Sequence, residues 1–224
     1  MQTQFSKITM DFLFENRLQN SKAWFEEHRE QYTQFVISPM LSLVEELTPT
    51  LLEIDDKLLC SPKVGGSLSR IWRDARFSKD KSLFRDTMWC MFVRQKNMNL
   101  PEFFFVFSPE SFFYGCGYYS AGAAAMASMR KMILANDKAF KTALSAYEKQ
   151  TLFELDGDMY KKSRHPDMPA NLQSWLDRKT IAFIHKSYDF DLLYSNRLAA
   201  TVAEGFKVLA PIYKFLITAE ERVE

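Results

Sequence analysis

Histidine and cysteine are scarce in this chain, three of each among 224 residues, and the scarcity removes several chemistries at once. Cys60, Cys90 and Cys116 are odd in number and carry no metal-ligand spacing. Neither a disulfide framework nor a zinc site is expected, and the three read as buried thiols. His28 follows Glu26 and Glu27 but has no second histidine one helical turn away, so that face reads as solvated surface rather than as a metal site. Glycine is also sparse, at seven residues. Gly65-Gly66-Ser67 lacks the lysine-serine ending of a phosphate-binding loop, which favours a plain turn over an amide nest, and no cofactor is expected. No apolar run approaches the ~20 residues of a membrane span. Asp11, Glu15 and Arg17 break any signal-peptide core between Met1 and Asn20, so the expectation is a cytoplasmic protein without a membrane partner. Linkers, internal repeats and low-complexity tracts are missing too, and the reading is a single domain over residues 1–224.

What the chain has in quantity is phenylalanine, 20 residues in a composition that is 47% hydrophobic, enough for a well-filled interior. Residues 1–58 read as three helices, with Phe5, Ile8, Phe12 and Leu13 at helical intervals and then Trp24, Phe25, Tyr32, Phe35 and Val36. Asn20 or Ser21 can cap the second helix. Ser38-Pro39 predicts the start of a third, and Pro49 its kink or end. Residues 63–119 carry a basic motif and then strands at Thr87–Val93, Phe103–Phe107 and Phe112–Tyr119. The last two are joined as a hairpin by Ser108-Pro109-Glu110-Ser111. The near-continuous apolar run Phe103–Phe107 implies burial on both faces. Residues 120–224 read as mainly helical, with a helix from Ser120, a stop and fresh cap at Asn136-Asp137, a polar loop at Lys161–Pro169, and one further strand at Thr180–Tyr188. Two helices finish the chain, Pro211 opening or kinking the last. The fold class is α+β: a central, mainly antiparallel sheet covered by helices, with an N-terminal helical segment.

Charge is segregated. Residues 63–94 hold eight cations (Lys63, Arg70, Arg73, Arg76, Lys79, Lys81, Arg85, Arg94) against three acids (Asp74, Asp80, Asp86), a net of +5. Residues 1–62 hold five cations against ten acids, a net of −5, and the whole chain is +1 with a pI of 7.7. A broad nucleic-acid binder would carry its basic excess over a whole face and a pI above ~9. Arg70, Arg73 and Arg76 recur every three residues, so on a regular strand they would diverge. A convergent site needs a helical or irregular backbone there. Clustered guanidiniums repel one another unless anions neutralise them. The internal candidates are Asp74 and Asp80, and the external one is a bound phosphate or carboxylate.

The run Arg70-x-x-Arg73-Asp74-x-Arg76-Phe77-x-x-Asp80-Lys81 resembles the signature of a widespread, mostly bacterial family catalogued as domain of unknown function 2461. Asn20 with Trp24-Phe25 and Arg29, Gly65-Gly66, Gly115-x-Gly117, Arg130, Lys179 and Pro211 extend the resemblance along the whole chain. That family's signature usually ends in tyrosine three positions after the lysine, where this chain has Phe84, and it tends to show Pro-Tyr-Lys where Leu83-Phe84-Arg85 stands. The resemblance implies a shared fold and site, and it supplies no reaction.

From these residues the leading expectation is a small anionic ligand, phosphate- or carboxylate-bearing, held by Arg70, Arg73 and Arg76 with help from Lys79, Lys81, Arg85 and Lys179. If the protein is an enzyme, Asp74 or Asp80 would orient the arginines or accept a proton, and His165 in the basic loop Lys161-Lys162-x-Arg164 is the most plausible titrating group. Cys116 and His185 read as packed residues. One alternative is a nucleic-acid module with Trp72 or Phe77 stacking on a base. The other is a structural or interaction protein in which the aspartates neutralise the arginines as a scaffold.

Overall fold

The computed structural model describes residues 4–74, 76, 79–95 and 99–223. Helices α1 (Lys7–Gln19) and α2 (Lys22–Glu27) precede a continuous helical run, Arg29–Ile54, composed of α3 (Arg29–Tyr32), a π-turn (Thr33–Ile37) and α4 (Ser38–Ile54). Strands β1 (Met88–Phe92), β2 (Glu102–Phe107) and β3 (Phe112–Gly117) follow. Then come α5 (Ala123–Leu134), α6 (Lys138–Glu148), β4 (Glu154–Asp156), α7 (Ala170–Leu176), β5 (Ala182–Ser187), α8 (Phe190–Leu193) and α9 (Leu198–Glu221). The strands form one antiparallel sheet in the order β1-β2-β3-β5-β4, an α+β architecture with a helical N-terminal segment. The residues group into two compact units. Met1–Phe92, Phe104–Tyr114 and Lys186–Ala203 make the first, and Val93–Phe103, Gly115–His185 and Glu204–Glu224 the second.

In the first unit, Asn20 ends α1 in the left-handed conformation, φ 43°, and Ser21 caps α2 by accepting from the Trp24 N–H. The third helix does not begin at Ser38. Ser38 is already helical, and the helix runs through Pro39 by way of the π-turn. Pro39 has no N–H to give the carbonyl of Phe35, four residues back. The Thr9 hydroxyl donates to that carbonyl instead, at 2.6 Å, so α1 repairs the bond that the proline removes. Pro49 does not end the helix either. Leu47 and Leu51 on either side of it are fully buried, and two such burials, ~1.5–3 kcal/mol each, match the ~3 kcal/mol that an interior proline costs. By length and composition alone Arg29–Ile54 could cross a membrane, with mean hydropathy 1.3. Its apolar face (Val36, Met40, Leu43, Val44, Leu47, Leu51) is buried inside the unit.

The sheet corrects one expectation. Along β2, Phe103, Phe105 and Phe107 are wholly buried, whereas Phe104 and Val106 are half-buried. One face is closed and the other only partly covered, because the run follows the period of two that any strand imposes. The hairpin turn forms as read: the Ser108 hydroxyl accepts from the Glu110 and Ser111 N–H groups.

In the second unit, Trp175 is surrounded by Phe140, Tyr147, Phe183 and Phe215 at ring separations of 5.0–6.1 Å. Helix α5 starts at Ala123, three residues after the expected Ser120. Asn136 (φ 54°) and Asp137, whose carboxylate accepts from the Ala139 N–H, divide α5 from α6 as read. The short strand β4 carries no recognisable sequence pattern and pairs with β5 through Leu155↔Phe183. Gly117 has φ +149°, and a Cβ there would lie 2.4 Å from the Ala182 Cα, so β3 and β5 approach as only glycine permits. Pro211 neither opens a helix nor precedes one. It lies inside α9 among Leu209, Ile212, Tyr213, Phe215 and Leu216, all buried.

Candidate functional site

The basic motif is held in extended backbone on the free edge of β1. The Ser69 N–H donates to the Trp89 carbonyl and the Met91 N–H to that of Ser67, both at 2.9 Å, while Leu68 bridges Cys90. A second ladder follows, with the Arg73 N–H donating to Leu83 at 2.9 Å and the Arg85 N–H to Ile71 at 2.8 Å. Buried Ile71 and Phe84 anchor the two sides. Phe84 stacks on Phe25 at 5.0 Å and meets Trp72 at 4.5 Å, so the position where the family signature has a phenol is apolar packing here. The Asn20 side-chain oxygen accepts from the Leu83 N–H at 2.7 Å, which ties the loop to the end of α1.

Gly65 and Gly66 form the turn that delivers the chain to this edge. Gly65 has φ +73°, and its N–H and those of Gly66 and Ser67 donate to Leu68, Lys63 and Ser61. Protein carbonyls therefore occupy all three amides, and the turn reading stands against the amide nest.

Arg70, Trp72, Arg73, Asp74, Arg76, Arg85 and Trp89 line one open cleft of about 790 Å³. The three motif arginines meet there because the backbone bends between short ladders, as convergence required. Arg76 forms a two-pronged pair with Asp74 at 2.9 and 2.7 Å, and this pair brings the Asp74 carboxyl down to about 2. Arg73 reaches Asp80 at 3.0 Å, yet its Nε is buried without a hydrogen-bond acceptor. The Ser82 N–H, ahead of the charge of Arg73, holds Asp80 below the ordinary carboxylate range. No carboxylate among the described residues pairs with Arg70, whose guanidinium lies against Gly65, where a Cβ would be 3.4 Å from Nη2. Arg85 spreads over the Trp89 ring at 4.8 Å, and among the described residues it too has no carboxylate within ion-pair distance. Four guanidiniums thus share the lining with one carboxylate.

The remaining expected residues fall elsewhere. Lys79 and Lys81 are exposed in the loop beyond the cleft wall, and Phe77 lies outside the described residues. Lys179 belongs to the second unit, 5.9 Å from the Tyr160 ring, which Arg164 covers at 3.7 Å and Arg130 approaches at 5.5 Å. His165 is in the same unit, where its charge, with those of the neighbouring groups, acts on buried Asp177. Burial pushes Asp177 up, but the Ser163 hydroxyl, the Arg164 N–H and the charges of His165 and Arg130 outweigh it and leave the carboxyl low. Cys90 and Cys116 are wholly buried, and burial raises both thiols. His185 sets Nδ1 3.1 Å from the Leu152 carbonyl and packs against Phe153. Among the described residues, no three of His, Cys, Asp and Glu gather as metal ligands.

Sequence reasoning missed Trp89. The signal was there: in β1 the residues Met88, Cys90 and Phe92 face inward, so a period of two puts Trp89 on the outer face beside the motif. It also missed Tyr160, which only tertiary contact joins to Arg130, Arg164 and Lys179.

Two comparisons bear on this arrangement. The model of a family described as conserved hypothetical protein (DUF2461) matches residues 8–215, a span that includes the entire cleft. No curated protein shows significant similarity to the chain.

Proposed function

The chain belongs to the conserved hypothetical protein family DUF2461, and because membership brings no reaction with it, we propose from the cleft itself that the protein binds a small phosphate- or carboxylate-bearing molecule. The observation that carries this reading is the imbalance of charge in the lining, four guanidiniums to one carboxylate. Arg70 and Arg85 lack a carboxylate partner among the described residues. Guanidiniums offer forked donors that fit oxyanions, and a bound anion would relieve the repulsion among them.

The pairs Asp74–Arg76 and Asp80–Arg73 favour a second reading, a scaffold that neutralises itself. Asp74, Arg76 and Asp80 are exposed and Arg73 is half-buried, and solvent screening leaves such pairs little weight, so the loop's shape rests more on the two ladders and on Phe84 packed against Phe25 and Trp72. Arg70→Ala separates the readings, since Arg70 is exposed and pairs with no carboxylate among the described residues. Thermal stability is to be measured with inorganic phosphate, sugar phosphates and dicarboxylates. The anion reading requires stabilisation by at least one of them, lost in Arg70→Ala without loss of the fold. If no anion stabilises the protein while Arg73→Ala unfolds it, the scaffold reading takes over.

A further inference from the structure

An inorganic anion has no need of the two tryptophans in the cleft wall. Trp72 leaves 39% of its surface open, although Phe84 at 4.5 Å and the edge of Phe25 at 5.5 Å fix its ring in place. A large aromatic ring immobilised from behind and open in front is a stacking platform that loses little freedom when a ligand docks. Trp89 is half-buried and carries the Arg85 guanidinium over its ring at 4.8 Å. A guanidinium stacked in this way presents a second flat cationic surface to the same cleft. The third element is Arg70, exposed and paired with no described carboxylate, with the partly exposed Arg73 beside it in the lining. Flat π-surfaces beside unneutralised guanidiniums select a ligand that joins a planar ring to an oxyanion, and a cleft of about 790 Å³ falls within the range of small-molecule sites.

We propose that the ligand is a free nucleoside phosphate, its phosphate taken by Arg70 and Arg73 and its base stacked on Trp72, with the Arg85–Trp89 pair as the second flat wall. This rests on the anion-binding reading of the cleft and adds the substrate class. A polynucleotide offers the same base and phosphate chemistry. The charge pattern favours the free nucleotide, because the +5 of residues 63–94 stands beside −5 in residues 1–62 and no basic excess extends along the chain.

The test is titration calorimetry on the intact protein with four probes at fixed salt: inorganic phosphate, ribose 5-phosphate, adenosine 5′-monophosphate and a single-stranded oligonucleotide. Stacking of a base on an aromatic ring predicts that the mononucleotide binds about tenfold or more tightly than ribose 5-phosphate, with quenching of tryptophan fluorescence. In Trp72→Leu that ratio falls toward one. Because Trp72 also packs on Phe25 and Phe84, Arg85→Met serves as a second variant and should reduce the same ratio. Equal binding of ribose 5-phosphate and the mononucleotide overturns the base-stacking inference and leaves the anion cleft standing. No binding of any probe overturns both. Affinity for the oligonucleotide well above that for the mononucleotide, falling steeply with salt, overturns the free-nucleotide assignment in favour of a strand.

Discussion

Glu102 offers a prediction whose size and sign follow from burial alone. It is the first residue of β2, 9% exposed, and no hydrogen-bond donor or counter-charge among the described residues reaches it. Burial pushes its carboxyl up from 4.5 to about 7, since the ionised form gives up water and receives nothing in return. The folded state therefore keeps a proton that the unfolded chain releases at lower pH. Stability from this group is complete below the unfolded value and is lost as pH rises through the folded one, from about 4.5 to about 7 and a little beyond. At ~1.4 kcal/mol per unit, the loss amounts to about 3 kcal/mol. Glu102→Gln keeps the shape and removes the titration. Urea unfolding of both proteins at pH 4.5, 6, 7 and 8 gives the difference directly, and other titrating groups cancel between them. The variant should be about as stable as the parent at pH 4.5 and roughly 3 kcal/mol more stable at pH 8. Parallel stability curves would refute the reasoning, for they would mean that Glu102 ionises in the fold at no cost.

Thr9→Val removes the hydroxyl that serves the Phe35 carbonyl while keeping the side-chain shape. It should cost about 1–3 kcal/mol and show as lost hydrogen-exchange protection around the π-turn. Gly117→Ala places a Cβ 2.4 Å from the Ala182 Cα in a left-handed backbone, and a loss of at least ~3 kcal/mol is expected in thermal or urea unfolding. Asp74→Asn removes the one carboxylate in the described lining of the cleft, the partner of Arg76 at 2.7 Å. If the cleft binds anions, phosphate affinity by calorimetry should rise about fivefold at low salt, because the lining loses its negative charge; unchanged affinity would place Asp74 outside the site.

Much of the fold was legible because local patterns and tertiary burial agree. The Phe107-Ser108-Pro109-Glu110-Ser111-Phe112 junction can only be a tight turn between strands, and Asn136-Asp137 supplies both a left-handed stop and a cap. The helix boundaries read from proline failed for one shared reason. Pro39, Pro49 and Pro211 each carry a local penalty that apolar neighbours offset by burial, and at Pro39 the rescuing hydroxyl comes from Thr9 in another helix. Strand β4 could not be read, since the three residues Glu154-Leu155-Asp156 are too few to establish a period and become a strand only by pairing with β5.

The candidate site divides in the same way. Composition and order determined that the positive charge is local, that Arg70, Arg73 and Arg76 accompany two aspartates, and that Phe84 carries no hydroxyl, because these are properties of covalent neighbours. Tertiary structure alone decided that Arg73 and Arg76 face carboxylates while no described carboxylate pairs with Arg70. It also decided that Trp89 and Arg85 share the wall with Trp72, and that Lys179 gathers with Arg130 and Arg164 about Tyr160 in the other unit. Convergence depends on which backbone groups pair along the edge of β1, and those pairings join residues some twenty positions apart, as Leu68 and Cys90 are, beyond the reach of any local pattern.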